Sequence, residues 1–214
     1  MPVRVAVYNR AEDAERALSA DRSARFFGGG TLLMRAVNEG DQSFETLIRL
    51  TDPEFSTLRV DGGRITIGAG VTMAAILDHP DLRFLAPAAR AVGGPAIRVM
   101  ATVGGNLHAP PPYGDFANAL LALDAQITFA GANTAPMPVD AFLRERDRQS
   151  GRLVRTISLE RPRDPDGFRY RKVSRVKPKG VSVLSIAAYL PRSGGGRRIA
   201  FSNMGPVPTR SLAA

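Results

Sequence analysis

The sequence contains no cysteine and only two histidines among its 214 residues. The absence of thiols excludes disulfide bonds, a cysteine nucleophile, a thiolate zinc site and a cysteine-ligated iron–sulfur cluster within this chain. The histidines, His79 and His108, lie in separate segments without the spacing of a metal-ligand pair. No serine–histidine–aspartate arrangement stands out either. If the chain is part of an enzyme, a cofactor carries the reaction.

Long hydrophobic runs are also missing. No segment approaches the roughly 20 apolar residues that span a bilayer, and the N-terminal segment lacks the apolar stretch of a signal peptide. We therefore expect a soluble, cytoplasmic protein, although export to the periplasm alongside a partner that carries the signal would leave no trace here. With 44% hydrophobic and 23% charged residues, the composition is that of a globular protein of one large or two small domains.

The charge is distributed unevenly along the chain. Residues 1–143 hold 12 basic and 15 acidic side chains, whereas residues 144–214 hold 17 basic and 5 acidic ones. Such asymmetry is typical of a chain that binds nucleic acid or an acidic protein partner. A solvated basic face with no partner explains it equally well.

The first 50 residues predict a small parallel sheet. Strand-like segments at 3–9, 24–28 and 44–50 alternate with helical patterns at 11–20 and 31–40. Thr31 lies near the N-cap of the second helix, and Gly40 ends it. This β-α-β-α-β order is typical of parallel strands with helices packed on the sheet.

The remaining chain predicts antiparallel strands. The stretch 58–70 alternates on both sides of a glycine pair, as in a tight β-hairpin, and strand patterns recur at 126–130, 153–159, 168–174, 181–190 and 197–203. Strands without helices between them imply antiparallel pairing. We expect an α+β (α/β) protein with a small parallel N-terminal subdomain, residues 1–57, a larger antiparallel α+β subdomain, residues 58–208, and a tail, residues 209–214.

The first of two glycine clusters, “FFGGGTLL” at 26–33, connects a strand to a helix. Glycines at such a junction allow close backbone approach and direct amide groups from a helix N-terminus, which is an arrangement that binds phosphate oxygens. No lysine follows the glycines as in a Walker loop, and the spacing is not that of a Rossmann fingerprint. A plain tight turn is the alternative interpretation.

The second cluster, “ATVGGNLHAPPPYGD” at 101–115, reads as a stiff glycine-proline loop. Gly104 and Gly105 leave amides accessible, Asn106 can donate and accept, and the prolines fix an extended path. That path ends at Asp115, which is expected to cap an apolar helix over 115–125. His108 alone is interpreted as a polar loop residue.

Together the two clusters resemble the motifs of the FAD-binding medium subunit of molybdenum hydroxylases, the group of xanthine dehydrogenase, carbon monoxide dehydrogenase and aldehyde oxidoreductase. “GGGTLL” matches the family pattern Ala-Gly-Gly-Thr-(Asp/Asn)-Leu at Gly29, Gly30, Thr31 and Leu33. “RVMATVGGNLHAPPPYGDFANALLALDA” matches the second pattern over 98–107 and 115–125. A looser likeness extends over residues 3–208.

The resemblance implies a two-subdomain FAD-binding fold of the PCMH type, also called vanillyl-alcohol-oxidase-like, with FAD between the subdomains. It implies that backbone amides at 28–33 and 102–105 hold the pyrophosphate and that the other positions line the ribityl chain and flavin. The implied FAD-binding residues are Phe27, Gly28, Gly29, Gly30, Thr31, Leu32, Leu33, Ala101, Thr102, Gly104, Gly105, Asn106, Leu107, Tyr113, Gly114, Asp115, Leu153, Val154 and Lys172.

Three features depart from the family pattern. Leu32 stands where the family usually has Asp or Asn, so one polar contact is missing. The loop before Asp115 is unusually rich in proline. The sequence also ends where the family usually continues into a C-terminal domain. That domain is absent from the sequence, so we expect either a truncated subunit or one in which the domain is dispensable.

The function implied by the resemblance is electron transfer within a larger enzyme. A [2Fe–2S] ferredoxin-like subunit and a large molybdopterin-binding subunit are the implied partners, and NAD⁺, a quinone or O₂ is the implied acceptor. A structural subunit that keeps the fold without FAD is one alternative. A basic nucleic-acid-binding module is another, but the few aromatic residues of the basic segment form no recognisable stacking platform. We therefore expect no nucleic-acid partner.

Overall fold

The computed structural model describes residues 3–131, 135–176, 180–192 and 196–211. Its first part is a three-stranded parallel sheet in the order β1-β3-β2. The predicted β-α-β-α-β order is confirmed, because each strand returns to the sheet through a helix. The elements are β1 (Arg4–Tyr8), α1 (Ala11–Ala20), β2 (Ala24–Phe26), α2 (Thr31–Asn38) and β3 (Thr46–Leu50).

The second part contains two antiparallel sheets, as the sequence predicts. A five-stranded sheet has the order β4-β5-β8-β6-β7, and a four-stranded sheet has the order β12-β11-β10-β9. The strands are β4 (Leu58–Asp61), β5 (Arg64–Gly68), β6 (Gln126–Phe129), β7 (Met137–Pro138), β8 (Val154–Glu160), β9 (Phe168–Ser174), β10 (Ser182–Tyr189), β11 (Arg198–Ser202) and β12 (Thr209–Ser211).

Six α-helices lie among the described residues of this part. They are α3 (Met73–Asp78), α4 (Ala86–Ala91), α5 (Pro95–Arg98), α6 (Val103–His108), α7 (Asp115–Ala122) and α8 (Val139–Glu145). All eight residues of α7 are buried, and it packs against β10, β11, α4 and α6. One cluster of buried side chains runs from α1 through α7 to β11. In the described part of the chain, no helix has both the length and the apolar character to cross a membrane.

Four local predictions are wrong. His108 is the last residue of α6 and not a loop residue. Pro111 and Pro112 form a turn, closed by the hydrogen bond from the Tyr113 amide to the Pro110 carbonyl, and not an extended path.

The glycine pair of the second cluster lies in a helix, α6, and not in a loop. Thr102 caps this helix by accepting a hydrogen bond from the Gly105 amide, and the Gly104 amide donates to Ala69, so tertiary contacts outweigh the low helix propensity of glycine. The N-cap of α7 is Gly114, at φ +91°, and not Asp115, which is the first helical residue.

Candidate functional site

The two glycine clusters, about 75 residues apart in sequence, are in direct contact. A Cβ atom on Gly29 would lie 1.7 Å from the carbonyl oxygen of Met100, and one on Gly28 would lie 3.0 Å from the Thr102 hydroxyl. Only glycine permits the backbones to approach this closely at Gly29. The second cluster is fixed in turn by a β-bridge between Thr72 and Thr102.

Both clusters line one cleft of about 1090 Å³. Of the predicted FAD-binding residues, Phe27 and Leu107 do not line it. The Phe27 ring lies against Gly30, and Leu107 is fully buried in the core. The predicted residues that do line the cleft are Gly28, Gly29, Gly30, Thr31, Leu32, Leu33, Ala101, Thr102, Gly104, Gly105, Asn106, Tyr113, Gly114, Asp115, Leu153, Val154 and Lys172.

The start of α2 presents free backbone donors to the cleft. Its N-cap, Gly30, has a left-handed φ of +68° and provides no side-chain cap. In the described residues, the N–H groups from Gly28 to Leu33 donate no hydrogen bond. Uncapped amides at a helix N-terminus, together with the helix dipole, form a site for an anion.

The start of α6 differs from that of α2. The Gly104 amide donates to the carbonyl oxygen of Ala69 at 2.8 Å, and the Gly105 amide donates to the Thr102 hydroxyl at 3.1 Å. A Cβ atom on Gly104 would lie 2.8 Å from that of Ala69, so this glycine serves close packing between α6 and the end of β5. The amides of Gly104 and Gly105 are therefore already bonded within the protein, whereas those at the start of α2 are available.

A buried ion pair lies at another part of the cleft wall. The Lys172 ammonium donates to the Asp115 carboxylate at 2.6 Å and to the Ala91 carbonyl oxygen at 3.1 Å. The Tyr170 hydroxyl donates to the backbone carbonyl of Asp115 at 3.3 Å and lies 3.5 Å from its carboxylate. The Asp115 and Lys172 side chains are only 8% and 14% exposed.

This environment shifts two pKa values. Burial raises the pKa of Asp115 above its usual 3.8, and the hydrogen bond from Lys172 opposes that shift. Burial, followed by the charge of Asp115, raises the pKa of Tyr170 above its usual 10. Tyr170 therefore remains a neutral donor, and Asp115 depends on Lys172 to stay ionised in a weakly solvated position.

His108, at the end of α6, faces the cleft on one side and packs edge-to-face on Phe142, with ring centroids 5.1 Å apart, on the other. Burial on the packed side, followed by the charge of Arg146, lowers its pKa to about 4. Because the ring is exposed to the cleft, water there offsets part of this burial. No cluster of three metal-ligating side chains occurs among the described residues.

Sequence reasoning missed the arginines that line the cleft. They come from the turn before β2, from β2, from α2 and from the segment before β8, so no local motif marks them. They are Arg22, Arg25, Arg35 and Arg152. Arg35 donates a hydrogen bond to the Tyr113 hydroxyl, and both residues line the cleft. With Lys172, these arginines outnumber the lining carboxylates of Asp21 and Asp115 among the described residues.

The residues present fit FAD. The cleft is of the size of cofactor pockets, has free amides at the start of α2 and has an excess of positive charge for a pyrophosphate. Apolar side chains such as Leu153, Val154 and Val92 provide flat walls for a ring system. The contacts of individual residues with FAD stay predictions.

Comparison with known proteins identifies the family. The profile of the “FAD binding domain in molybdopterin dehydrogenase” matches residues 3–162. The chain is 28% identical to the FAD-subunit of nicotinate dehydrogenase from Eubacterium barkeri over 73% of this chain and 57% of that protein. It is 25% identical to a putative xanthine dehydrogenase FAD-binding subunit of Escherichia coli, over 96% of this chain and 76% of that one. The chain thus spans little more than half of the first relative.

Solved structures confirm the fold. Carbon monoxide dehydrogenase from Hydrogenophaga pseudoflava superimposes with a TM-score of 0.86 at 23% identity, over 98% of this chain and 77% of that chain. Quinoline 2-oxidoreductase from Pseudomonas putida 86 superimposes with a TM-score of 0.86 at 19% identity, over 99% and 77%. The predicted two-subdomain FAD-binding fold and the predicted cofactor, FAD, are confirmed. The chain belongs to the family of FAD-binding domains in molybdopterin dehydrogenases.

Proposed function

We propose that this chain is the FAD-binding electron-transfer subunit of a molybdopterin-dependent hydroxylase or dehydrogenase. The observation that carries the proposal is the contact between the two glycine clusters, which meet at Gly28 and Thr102 and line one cleft together. The cleft lies where residues 1–57 face residues 58–208, the two subdomains that we propose. Membership of the family supports the same function.

In the proposed complex, the amides at the start of α2 bind the pyrophosphate of FAD. Arg35, at the end of the same helix, adds positive charge on the cleft side. When bound, FAD would supply the exchange between two-electron and one-electron transfer. The protein positions the cofactor, excludes water from the site and sets its electrostatic environment.

A second group of lining residues, Leu153, Val154 and Lys172, would contact another part of the cofactor. The Leu153 and Val154 residues are only 3% and 2% exposed, so they exclude water from the part of the cleft that they line. The Lys172 ammonium uses two of its three protons on Asp115 and Ala91 and keeps one for a ligand. Asp115 holds this ammonium in place, so its role in the proposed site is to position Lys172.

The proposed partners are a [2Fe–2S] ferredoxin-like subunit and a large molybdopterin-binding subunit. The proposed electron acceptor is NAD⁺, a quinone or O₂. The nicotinate dehydrogenase relative is itself named as an FAD-subunit, which supports a place in a multi-subunit enzyme.

A comparison of flavins tests the cofactor site. The protein is titrated with FAD, FMN and riboflavin while the quenching of flavin fluorescence is measured. We expect FAD to bind more tightly than riboflavin, because riboflavin lacks the phosphates that the α2 amides and the arginines hold. Equal affinity for FAD and riboflavin would contradict the pyrophosphate assignment. No binding of any flavin would favour a structural subunit without FAD.

A further inference from the structure

The Ser182 hydroxyl is a buried polar group without a partner. Ser182 is 5% exposed, and its Oγ atom makes no hydrogen bond. Among the described residues, only the Oδ1 atom of Asn118 shares this state. Asn118 lies in the core, bonded through its amide nitrogen to Ser185 and Ala200, whereas Ser182 lines the cleft. A buried hydroxyl left without a partner costs free energy, so its position requires an explanation.

A β-bulge directs Ser182 into the cleft. In β10, Ser185, Ala187 and Tyr189 lie on the face that packs against α7, and Ala188 on the other face is covered as well. Continuing this alternation would place Val183 on the inner face and Ser182 outside. The register with β9 shifts between Ser182 and Leu184, and as a result Ser182 is buried while Val183 is 48% exposed. Bulges that redirect a side chain in this way are frequent beside functional sites.

The neighbours of Ser182 already have partners. Lys172 and Asp115, which line the same cleft, form their own ion pair at 2.6 Å. The Ser182 hydroxyl is near enough to Asp115 to help keep the pKa of that carboxyl down, yet the geometry of a hydrogen bond is not reached. The hydroxyl is therefore free to bond a group that enters the cleft.

We propose that Ser182 is a positioning residue for the cofactor and that its hydroxyl hydrogen-bonds a polar atom of the isoalloxazine ring. The proposal rests on the proposed function, because it requires FAD in the cleft. The isoalloxazine ring carries carbonyl oxygens and ring nitrogens that suit a hydroxyl, which both donates and accepts. The proposed function assigns the phosphates to the free amides at the start of α2, which leaves Ser182 and Lys172 for a different part of the cofactor.

The test compares Ser182→Ala with Ser182→Thr and with Ser174→Ala in the full chain. Ser174 is the register partner of Ser182 on β9 but does not line the cleft. Dissociation constants are measured for FAD, riboflavin and ADP, and the visible spectrum and reduction potential of bound FAD are recorded. We expect Ser182→Ala to weaken the binding of FAD and of riboflavin by about tenfold, because one hydrogen bond contributes about that factor to affinity. The flavin spectrum or potential shifts, ADP binding is unchanged, and Ser182→Thr and Ser174→Ala behave as wild type.

Thermal unfolding separates this role from a structural one. Since the hydroxyl has no protein partner, Ser182→Ala should leave the Tm of the flavin-free protein unchanged and lower only that of the FAD complex. A lower Tm of Ser182→Ala without flavin would overturn the proposal. So would a loss of ADP affinity as large as the loss of FAD affinity. Unchanged flavin binding and spectrum in Ser182→Ala, with a wild type that binds FAD, would overturn this proposal alone. A wild type that binds no flavin would overturn the proposed function as well.

Discussion

At the residue scale, the cleft depends on the absence of a side chain at Gly29. The backbone of the first glycine cluster lies against the Met100 carbonyl, where a methyl group has no space. Close packing of this kind, and not freedom in φ alone, makes the glycine necessary at this position. The contact also joins the two halves of the predicted cofactor site.

Gly29→Ala is expected to destabilise the protein by about 1–3 kcal/mol, the usual cost of overpacking, and to abolish FAD binding. The physical reason is the 1.7 Å approach that the new Cβ would make to Met100. Gly63→Ala is the matched control, because a Cβ there meets no atom within 4 Å and the hairpin stays intact. Denaturant unfolding and FAD titration measure both effects. Wild-type behaviour of Gly29→Ala would disprove the contact.

His108 gives the protein a pH-dependent stability. Its folded pKa lies below the unfolded value of about 6.5. Above that value the imidazole is neutral in both states; as the pH falls below it, the unfolded state gains the proton more readily than the folded state, so stability is lost. We expect His108→Asn to lose less stability than wild type between these two pH values. The free energy of unfolding, measured across this range, checks the prediction, and parallel profiles would contradict it.

At the element scale, α2 and α6 show how two glycine-containing helix starts differ. The start of α2 has no side-chain cap and free amides, whereas the start of α6 is capped by Thr102 and its glycine amides are bonded. The first helix start is suited to bind an anion and the second to pack tightly. No residue of α2 is fully buried, and the hydrogen bond from Arg35 to Tyr113 connects this helix to the loop that follows α6.

Tyr113→Phe is expected to accelerate the release of FAD several-fold. The free energy of unfolding should change by less than about 1 kcal/mol, because the Arg35 side chain that bonds Tyr113 is 56% exposed. Losing the bond frees α2 from the loop that follows α6. Glu39→Gln is the control, since it weakens the other Arg35 contact, at 2.8 Å within the helix, without affecting the cleft. Stopped-flow displacement of FAD measures the rate. Equal rates in Tyr113→Phe and Glu39→Gln would refute the prediction.

On the scale of the whole molecule, the two faces of the four-stranded sheet have different surroundings, because side chains alternate between the faces along each strand. In β9, Phe168 and Tyr170 are buried and Lys172 lines the cleft, whereas Arg169 and Arg171 are exposed on the opposite face. The excess positive charge of residues 144–214 is thus partly displayed on an outer sheet surface. We interpret this surface as a docking face for acidic partner subunits, for which electrostatic complementarity gives rate and orientation.

Charge reversal tests this interpretation. The triple variant Arg169→Glu, Arg171→Glu and Arg175→Glu is expected to weaken association with the proposed partner subunits by about tenfold or more at low salt. Arg16→Glu is the control, because this arginine is 78% exposed on α1, away from the sheet. Assembly is followed by mass photometry at several salt concentrations. Unchanged assembly and salt sensitivity in the triple variant would rule the docking face out.

The sequence by itself determined the features that depend on neighbouring residues. Alternation and turn chemistry predicted the β4–β5 hairpin and the strands β6 and β8 to β11, and the helical spacing of 11–20 predicted α1. The two glycine clusters carried the family resemblance, because a motif is read along the chain. Short elements such as α8 and β12 were missed, since a few residues carry too little periodicity to be recognised.

Only the tertiary structure decided which groups of the cleft are free and which are satisfied. Asp115 pairs with Lys172, 57 residues away, and Arg35 bonds Tyr113, 78 residues away. Thr102 and Ala69 hold the glycine amides of α6 that a linear motif leaves open. Such contacts depend on how helices and sheets pack, and a one-residue bulge is enough to turn the Ser182 hydroxyl from the outer face into the cleft.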